Sequence, residues 1–265
     1  MREDRDDTAL LVASLREAGA IARKYFGGDY KIWKKADGNP VTSADVEIDE
    51  FLKSTLLAAR GDYGWLSEES ADDHTRLART RTFIVDPIDG THGFLKHRPH
   101  FTIVAAVVVA GRPVAAAIYN PISDDMFQAT HEAGARLNAR PIHVSGKRGF
   151  EDSRLLATRA LIQSPHWSTP FPPLTVETRA SIAYRMALVA KGEFDAMISL
   201  TRKWDWDLAA GDLIVHEAGG VVSAQDGSRL LYNRANPEQE GVVCAGPELH
   251  QDLLVRLREL PTGTS

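Results

Sequence analysis

The stretch "FTIVAAVVVAGRPVAAAIYNP" (residues 101–121) contains two apolar runs on either side of one glycine. Valine, isoleucine and alanine dominate both runs, and Ala110 to Pro113 are typical of a tight turn. The stretch therefore predicts a β-hairpin whose strands are too apolar to face water. Strands joined by so short a connection are antiparallel, which excludes an entirely parallel sheet.

Helical and strand patterns alternate on both sides of this hairpin. Apolar spacing predicts helices over residues 8–26, 43–60 and 181–191, within 205–220 and at the C-terminus, and strands near Leu155 and within 194–198, 221–224 and 241–246. The alternation favours a layered α/β fold of the α+β kind. Polar and basic residues become more frequent from residue 140, so we predict an N-terminal half, residues 1–145, and a C-terminal half, residues 146–265.

Composition limits the possible partners. The formal net charge of −5 offers no basic surface for a nucleic-acid polymer, and the single cysteine, Cys244, excludes an internal disulfide. The N-terminus "MREDRDDTAL" lacks the apolar core of a signal peptide, and the longest apolar run, Ile103 to Ala110, is too short for a bilayer. We therefore expect a cytoplasmic protein that binds neither a nucleic-acid polymer nor a membrane.

Acidic residues lie at the ends of four predicted elements. They are Asp45 in "NPVTSAD", Glu68 and Glu69 in "GWLSEES", Asp86 and Asp89 in "DPIDGT", and Asp205 and Asp207 in "WDWDLAAG". A single acid at such a position is usually a helix cap or a solvated side chain. Several together, without a histidine cluster, are what Mg²⁺ prefers, because it is a hard cation with oxygen ligands.

The "DPIDGT" segment has the local chemistry to bring its acids together. Pro87 favours a turn on which Asp86, the Ile88 carbonyl and Asp89 converge. Gly90 permits a backbone conformation closed to other residues, and the next residue, a threonine, offers a hydroxyl. Neighbouring buried carboxylates repel each other, so we expect a cation between them.

"DPIDGT" and "WDLAAGDLIVHEAGG", preceded by "PVTSAD" and "SEE", together resemble the paired signatures of the inositol monophosphatase superfamily. The resemblance implies an αβαβα sandwich, usually a homodimer, and a Mg²⁺-dependent, often lithium-sensitive phosphomonoesterase of small phosphorylated metabolites, in which Mn²⁺ substitutes for Mg²⁺. By position it implies that two to three ions are held by Glu68, Asp86, the Ile88 carbonyl, Asp89 and Asp207, with Asp45 assisting a weaker ion through water.

The resemblance also implies a mechanism without a covalent nucleophile. Glu68 and Thr91, with Asp45 nearby, would orient and deprotonate a water, and the metal ions would neutralise the phosphate charge and lower the pKa of that water. The N–H groups of Gly90 and Thr91 would meet the phosphate. Trp204 and Trp206 flank an acid near this site, where packing of the helix start is favoured over stacking on a ligand base.

Substrate choice depends on finer features. "KADGNPVTSAD" resembles the 3′(2′),5′-bisphosphate nucleotidase branch and places Lys35 near the metals, while Arg179, Ser181 and Arg185 form a segment whose charge could hold a second phosphate. The inositol branch commonly has a glutamate seven residues before the last metal aspartate, where this chain has Leu200.

We therefore expect a bisphosphate nucleotide such as 3′-phosphoadenosine 5′-phosphate as the substrate. Inositol 1-phosphate, histidinol phosphate and fructose 1,6-bisphosphate are the alternatives within the superfamily. A regulatory binding protein on the same fold is the alternative outside catalysis.

Overall fold

The computed structural model describes residues 2–35 and 38–260. Residues 36 and 37 of the segment "KADGNPVTSAD" and residues 261–265 of the predicted C-terminal half lie outside the described residues. The helices are α1 (Arg2–Tyr25), α2 (Ser43–Ala59), α3 (Thr91–Leu95), α4 (Arg159–Ile162), α5 (Ile182–Ala190), α6 (Asp205–Glu217) and α7 (Pro247–Leu257). None of the helices within the described ranges combines the length and apolar character needed to cross a lipid bilayer.

Two large sheets and two short ribbons contain the strands. The strands are β1 (Ile32–Lys34), β2 (Pro40–Thr42), β3 (Gly64–Ser67), β4 (Arg81–Asp89), β5 (Thr102–Val109), β6 (Arg112–Asn120), β7 (Asp125–Thr130), β8 (Ala135–Leu137), β9 (Arg140–Pro141), β10 (Arg154–Leu156), β11 (Thr175–Glu177), β12 (Ala196–Ser199), β13 (Lys203–Trp204), β14 (Val221–Ser223), β15 (Glu238–Gln239) and β16 (Val242–Ala245). The larger sheet has the order β3-β4-β5-β6-β7-β8-β9, and the smaller one has the order β11-β10-β12-β16-β14.

The predicted hairpin is confirmed as β5 and β6 at the centre of the larger sheet. Its turn residues Ala110 and Gly111 both have positive φ, +47° and +77°, which matches the twist of the two strands. Both strands are buried along nearly their whole length. Because β3 pairs with β4 in parallel, the sheet is mixed.

The helices and sheets form five layers in the order αβαβα around three apolar cores, which confirms the expected architecture. The first core lies between α1, α2 and the larger sheet, and the second lies between the two sheets around α5 and α6. The third packs α4 and α7 against the far face of the smaller sheet. Residues 142–153, which connect the sheets, include the boundary predicted after residue 145, while the central core draws on both halves.

The predicted start of the first helix at residue 8 was wrong, because α1 begins at Arg2. Its first turns are charged rather than apolar, and Arg81 of β4 binds Asp4 at 2.5 Å and buried Asp7 at 3.0 Å. Asp7 also accepts a hydrogen bond from Tyr63. Ion pairs to the sheet therefore stabilise the first turns of this helix. A prediction from apolar spacing does not detect such pairs.

Candidate metal centre

A bulge in β4 places two carboxylates on the same side of the sheet. Asp86 pairs with Val104 of β5 and Asp89 pairs with Thr102, so three steps along one strand match two along the other. In a regular strand, residues three apart point to opposite faces. The extra residue at Pro87 and Ile88 turns the Asp89 side chain to the face of the sheet that carries Asp86.

Asp89 is held by the start of helix α5. Its carboxylate accepts hydrogen bonds from the Ser181 hydroxyl at 2.6 Å and from the Ile182 and Ala183 N–H groups at 3.1 and 2.6 Å. A helix N-terminus stabilises such a negative charge. Gly90 makes the approach possible, because its φ is +95° and a Cβ there would lie 2.9 Å from the Ser181 nitrogen.

Asp207 reaches the same point from helix α6. It accepts a hydrogen bond from the Trp204 N–H at 2.7 Å, which caps the helix and fixes the carboxylate. Asp205, two residues earlier, is turned away into a separate network with the Asn233 N–H and the Gln239 amide, both at 2.7 Å. Of the two aspartates in "WDWDLAAG", only Asp207 therefore enters the cluster.

Carboxylate oxygens of Asp86, Asp89 and Asp207, one from each, lie within 4.8 Å of one another. Burial raises the pKa of Asp207 to about 8, with the charge of Asp89 as the next cause, and it raises the pKa of Asp86 well above its usual range. Burial raises the pKa of Asp89 to about 6 even though Ser181 and α5 lower it. Three mutually repelling oxygen donors, two of them on buried residues and the third on half-buried Asp207, fit a hard divalent cation such as Mg²⁺.

Thr91 lies between the cluster and Asp45. Its hydroxyl is 3.1 Å from the Ile88 carbonyl and 3.3 Å from Asp45 Oδ1. The other carboxylate oxygen of Asp45 accepts a hydrogen bond from the Thr42 N–H at 2.8 Å, which caps helix α2. Burial raises the pKa of Asp45 to about 6, so this carboxylate can exchange a proton near neutral pH.

Glu68 follows β3 beside Asp86, because β3 and β4 are parallel and Ser67 pairs with Val85. Lys35 binds both Glu68 and Glu69, with 2.7 Å between the ammonium nitrogen and a carboxylate oxygen in each pair. Burial opposes the charge on Lys35, but the two glutamates raise its pKa. Burial also raises the pKa of Glu69 to about 7. Lys35 thus forms an ion pair with Glu68, which the resemblance implies is a metal ligand.

The cluster opens into a cavity of about 790 Å³ that Lys35, Glu68, Ile88, Gly90 and Thr91 also line. Two cations, Arg185 and Lys203, line the same cavity. The Arg185 guanidinium donates to the Arg179 carbonyl, and the Lys203 ammonium donates to the Thr201 hydroxyl at 2.6 Å and to the Arg202 carbonyl at 2.9 Å. Neither cation forms an ion pair with a carboxylate of the described residues, so both charges are available to an anionic ligand.

The sequence reasoning missed Lys203. Burial lowers its pKa, and the charge of Asp207 is the strongest influence that opposes this shift. Its position four residues before the candidate metal ligand Asp207 could have indicated this, because that part of the chain must lie close to the site.

Two residues of the expected substrate segment lie elsewhere. Arg179 binds Glu177 at 2.8 Å and its guanidinium packs over Phe194, outside the residues that line the cavity. Ser181 is fully buried behind Asp89, where its hydroxyl also contacts Thr102 at 2.9 Å. The structure therefore gives Ser181 a position from which it orients a carboxylate rather than touches a substrate.

A sequence model of the inositol monophosphatase family matches residues 3–261. An inositol-1-monophosphatase of Mesorhizobium japonicum is 30% identical over 262 residues, which cover 95% of this chain and 96% of the relative. The Nus factor SuhB of Salmonella typhimurium is 28% identical over 261 residues, 94% of this chain and 95% of the relative. The crystal structure of the extragenic suppressor protein suhB of Bartonella henselae superposes with a TM-score of 0.81 at 28% identity, covering 94% of this chain and 97% of that one.

Proposed function

Because the chain belongs to the inositol monophosphatase family, whose members are phosphatases that act on small phosphorylated compounds, we propose that it is a Mg²⁺-dependent phosphomonoesterase that uses water as the nucleophile. The observation that carries the proposal is the convergence of Asp86, Asp89 and Asp207 within 4.8 Å at the floor of the cavity. Glu68 and the Ile88 carbonyl, which line the same cavity, complete the proposed ligand set.

When bound, the ion supplies positive charge that neutralises phosphate oxygens and lowers the pKa of a water molecule. Side chains and backbone groups of the protein position the reacting groups and transfer the proton. Asp89, held by Ser181 and α5, and Asp207, held by the Trp204 N–H, keep their positions without reorganising. Such preorganised charge is the largest contribution to many enzymatic rate enhancements.

Thr91 and Asp45 form a proton path in this proposal. A water beside Thr91 would pass its proton to the Thr91 hydroxyl oxygen as the hydroxyl proton moves to Asp45, 3.3 Å away. A base with a pKa of about 6 accepts such a proton at neutral pH without holding it permanently. The N–H groups of Gly90 and Thr91 are the proposed contacts of the phosphate.

For the substrate we propose a 3′(2′),5′-bisphosphate nucleotide such as 3′-phosphoadenosine 5′-phosphate. One phosphate would bind at the carboxylate cluster, and Arg185 and Lys203 would hold the second phosphate elsewhere in the cavity. Two cations without carboxylate partners support a ligand that carries two separate anionic groups.

Inositol 1-phosphate is the second candidate. The name of the Mesorhizobium japonicum relative favours it. An inositol ring presents hydroxyl groups, which require hydrogen-bond acceptors, and Leu200 contributes an apolar side chain to this cavity. The bisphosphate nucleotide therefore remains the first choice.

Release of inorganic phosphate from a panel of phosphomonoesters, with Mg²⁺ and with EDTA, tests the proposal. We expect Mg²⁺-dependent turnover, with higher kcat/KM for 3′-phosphoadenosine 5′-phosphate than for inositol 1-phosphate. Equal or better turnover of inositol 1-phosphate would overturn the substrate proposal but would not contradict the proposed phosphatase activity. The same assay with Mn²⁺ and Li⁺ tests metal substitution and the expected lithium inhibition, and light scattering tests the expected homodimer.

A further inference from the structure

Two indole rings stack on each other at the cavity. The rings of Trp204 and Trp206 are 5.1 Å apart between centroids and only 9° from parallel. Trp206 packs against the central core, whereas 38% of Trp204 is exposed, and both residues line the cavity. Trp206 therefore supports one face of Trp204, which leaves indole surface of Trp204 accessible to a ligand.

The backbone of Trp204 is tied to the metal centre. Its N–H donates to Asp207 at 2.7 Å, and the short strand β13, which contains it, pairs with β15. The side chain is thus held by a capped helix start, a strand pair and a stacked ring. A preorganised aromatic surface loses little conformational entropy when a ligand stacks on it.

Part of the cavity wall is apolar. Leu161, Ile198, Leu200 and Leu260 line it, and they belong to or pack against the core behind the smaller sheet. These side chains offer no hydrogen-bond partner to a hydroxylated ring. A planar, weakly hydrated group is the chemistry that such a wall accommodates.

We propose that Trp204 is a specificity-determining residue, which stacks on an aromatic ring carried by the leaving alcohol of the substrate, as in a nucleoside. This inference rests on the proposed phosphatase function and deepens it by assigning the leaving group a place in the cavity. Arg185 and Lys203 recognise charge, whereas Trp204 recognises the planar base.

The test compares two esters that differ only in the base, adenosine 3′-monophosphate and methyl β-D-ribofuranoside 3-phosphate. Stacking of a base on an aromatic side chain corresponds to a factor of about 5 to 150. Trp204→Leu should lower kcat/KM for the nucleotide by a factor in that range and change kcat/KM for the base-free ester by less than about twofold. Trp204→Phe should retain most of the preference, because it keeps an aromatic face.

Trp33 provides the matched control. It is 44% exposed on strand β1 and lies outside the residues that line the cavity, so Trp33→Leu should leave the ratio of the two kcat/KM values unchanged. Equal losses of kcat/KM for both esters in Trp204→Leu would indicate a structural role of Trp204 and overturn the proposal. No loss for either ester would overturn it as well.

Failure of the phosphatase proposal can be distinguished from failure of the stacking proposal for Trp204. If the wild-type protein releases phosphate from no phosphomonoester of the panel in Mg²⁺, the phosphatase proposal fails by itself. Stacking is then tested by titrating tryptophan fluorescence with adenosine 3′-monophosphate in Mg²⁺. Quenching that disappears in Trp204→Leu but not in Trp33→Leu supports the inference, whereas quenching that survives in Trp204→Leu, or none at all, overturns it.

Discussion

The floor of the cavity and its wall are built by opposite means. The floor gathers Asp86, Asp89 and Asp207 against their mutual repulsion, and every carboxylate there is held by backbone N–H groups close to it. The wall includes the uncharged side chains of Trp204 and Leu200, of which Trp204 is held by stacking on Trp206 and Leu200 by apolar packing. The reactive side therefore depends on the placement of hydrogen-bond donors, whereas the selective side depends on apolar packing and ring stacking.

The largest expected effect is on the floor. Asp89→Asn keeps the shape and removes a ligand charge, so we expect kcat to fall by about 100-fold or more. Phosphate release at saturating Mg²⁺ measures it, and circular dichroism checks the fold. Asp226→Asn changes an exposed aspartate outside the cavity and should have no effect. Near-normal turnover of Asp89→Asn would contradict the metal-ligand role.

Thr91→Ala should lower kcat by about 10² or more, because the proton path from water to Asp45 is interrupted. Thr91→Ser keeps the hydroxyl and should recover much of the rate. Metal affinity, followed by calorimetry, should change less than turnover. If Thr91→Ala lost metal affinity in proportion to kcat, Thr91 would belong to the metal-binding floor instead of the proton path.

Removal of metal should destabilise the protein in a pH-dependent way. The pKa of Asp89, about 6, and that of Asp207, about 8, are raised above the ordinary value of 3.8, so the stability they contribute without metal is fully present below pH 3.8 and is lost as the pH rises through 6 and 8. Metal binds the deprotonated carboxylates and reverses this loss. At about 100 times its dissociation constant, Mg²⁺ should add about 2.7 kcal/mol.

The measurement is the melting temperature in Mg²⁺ minus that in EDTA, taken at pH 5.5 and pH 8. We expect the larger difference at pH 8. A difference that shrinks from pH 5.5 to pH 8, or no difference at either pH, would contradict the proposed role of the cluster.

The smallest expected effects lie at the cations near the wall. Arg185→Ala and Lys203→Ala should each reduce the preference for 3′-phosphoadenosine 5′-phosphate over adenosine 3′-monophosphate by about one to two decades, since a hydrogen bond to a charged group contributes roughly 1.5–3 kcal/mol. Arg179→Ala is the matched comparison, because Glu177 already holds that guanidinium outside the cavity. A larger change in Arg179→Ala than in Arg185→Ala would reverse this assignment.

Much of the fold could be predicted because it depends on local patterns. The hairpin around Gly111 and the starts of α2 and α6 followed from apolar spacing and turn residues, whereas the start of α1 did not, since ion pairs to Arg81 extend it. For the site, "DPIDGT" indicated the convergence of Asp86 and Asp89 because a proline-containing bulge is a local feature. The ligand roles of Glu68 and Asp207 rested on the family resemblance and stay predictions.

The sequence by itself determined the layered α/β class, the acidic motifs and the family, because periodicity, turn chemistry and motif spacing are properties of neighbouring residues. Only the tertiary structure decided which of Asp205 and Asp207 enters the cluster, that Ser181 lies behind Asp89, and that Lys203 and Trp204 line the cavity. The physical reason is that these outcomes depend on contacts between segments far apart in the chain. Burial and partner choice at such contacts are set by the packing of whole layers, not by the residues on either side.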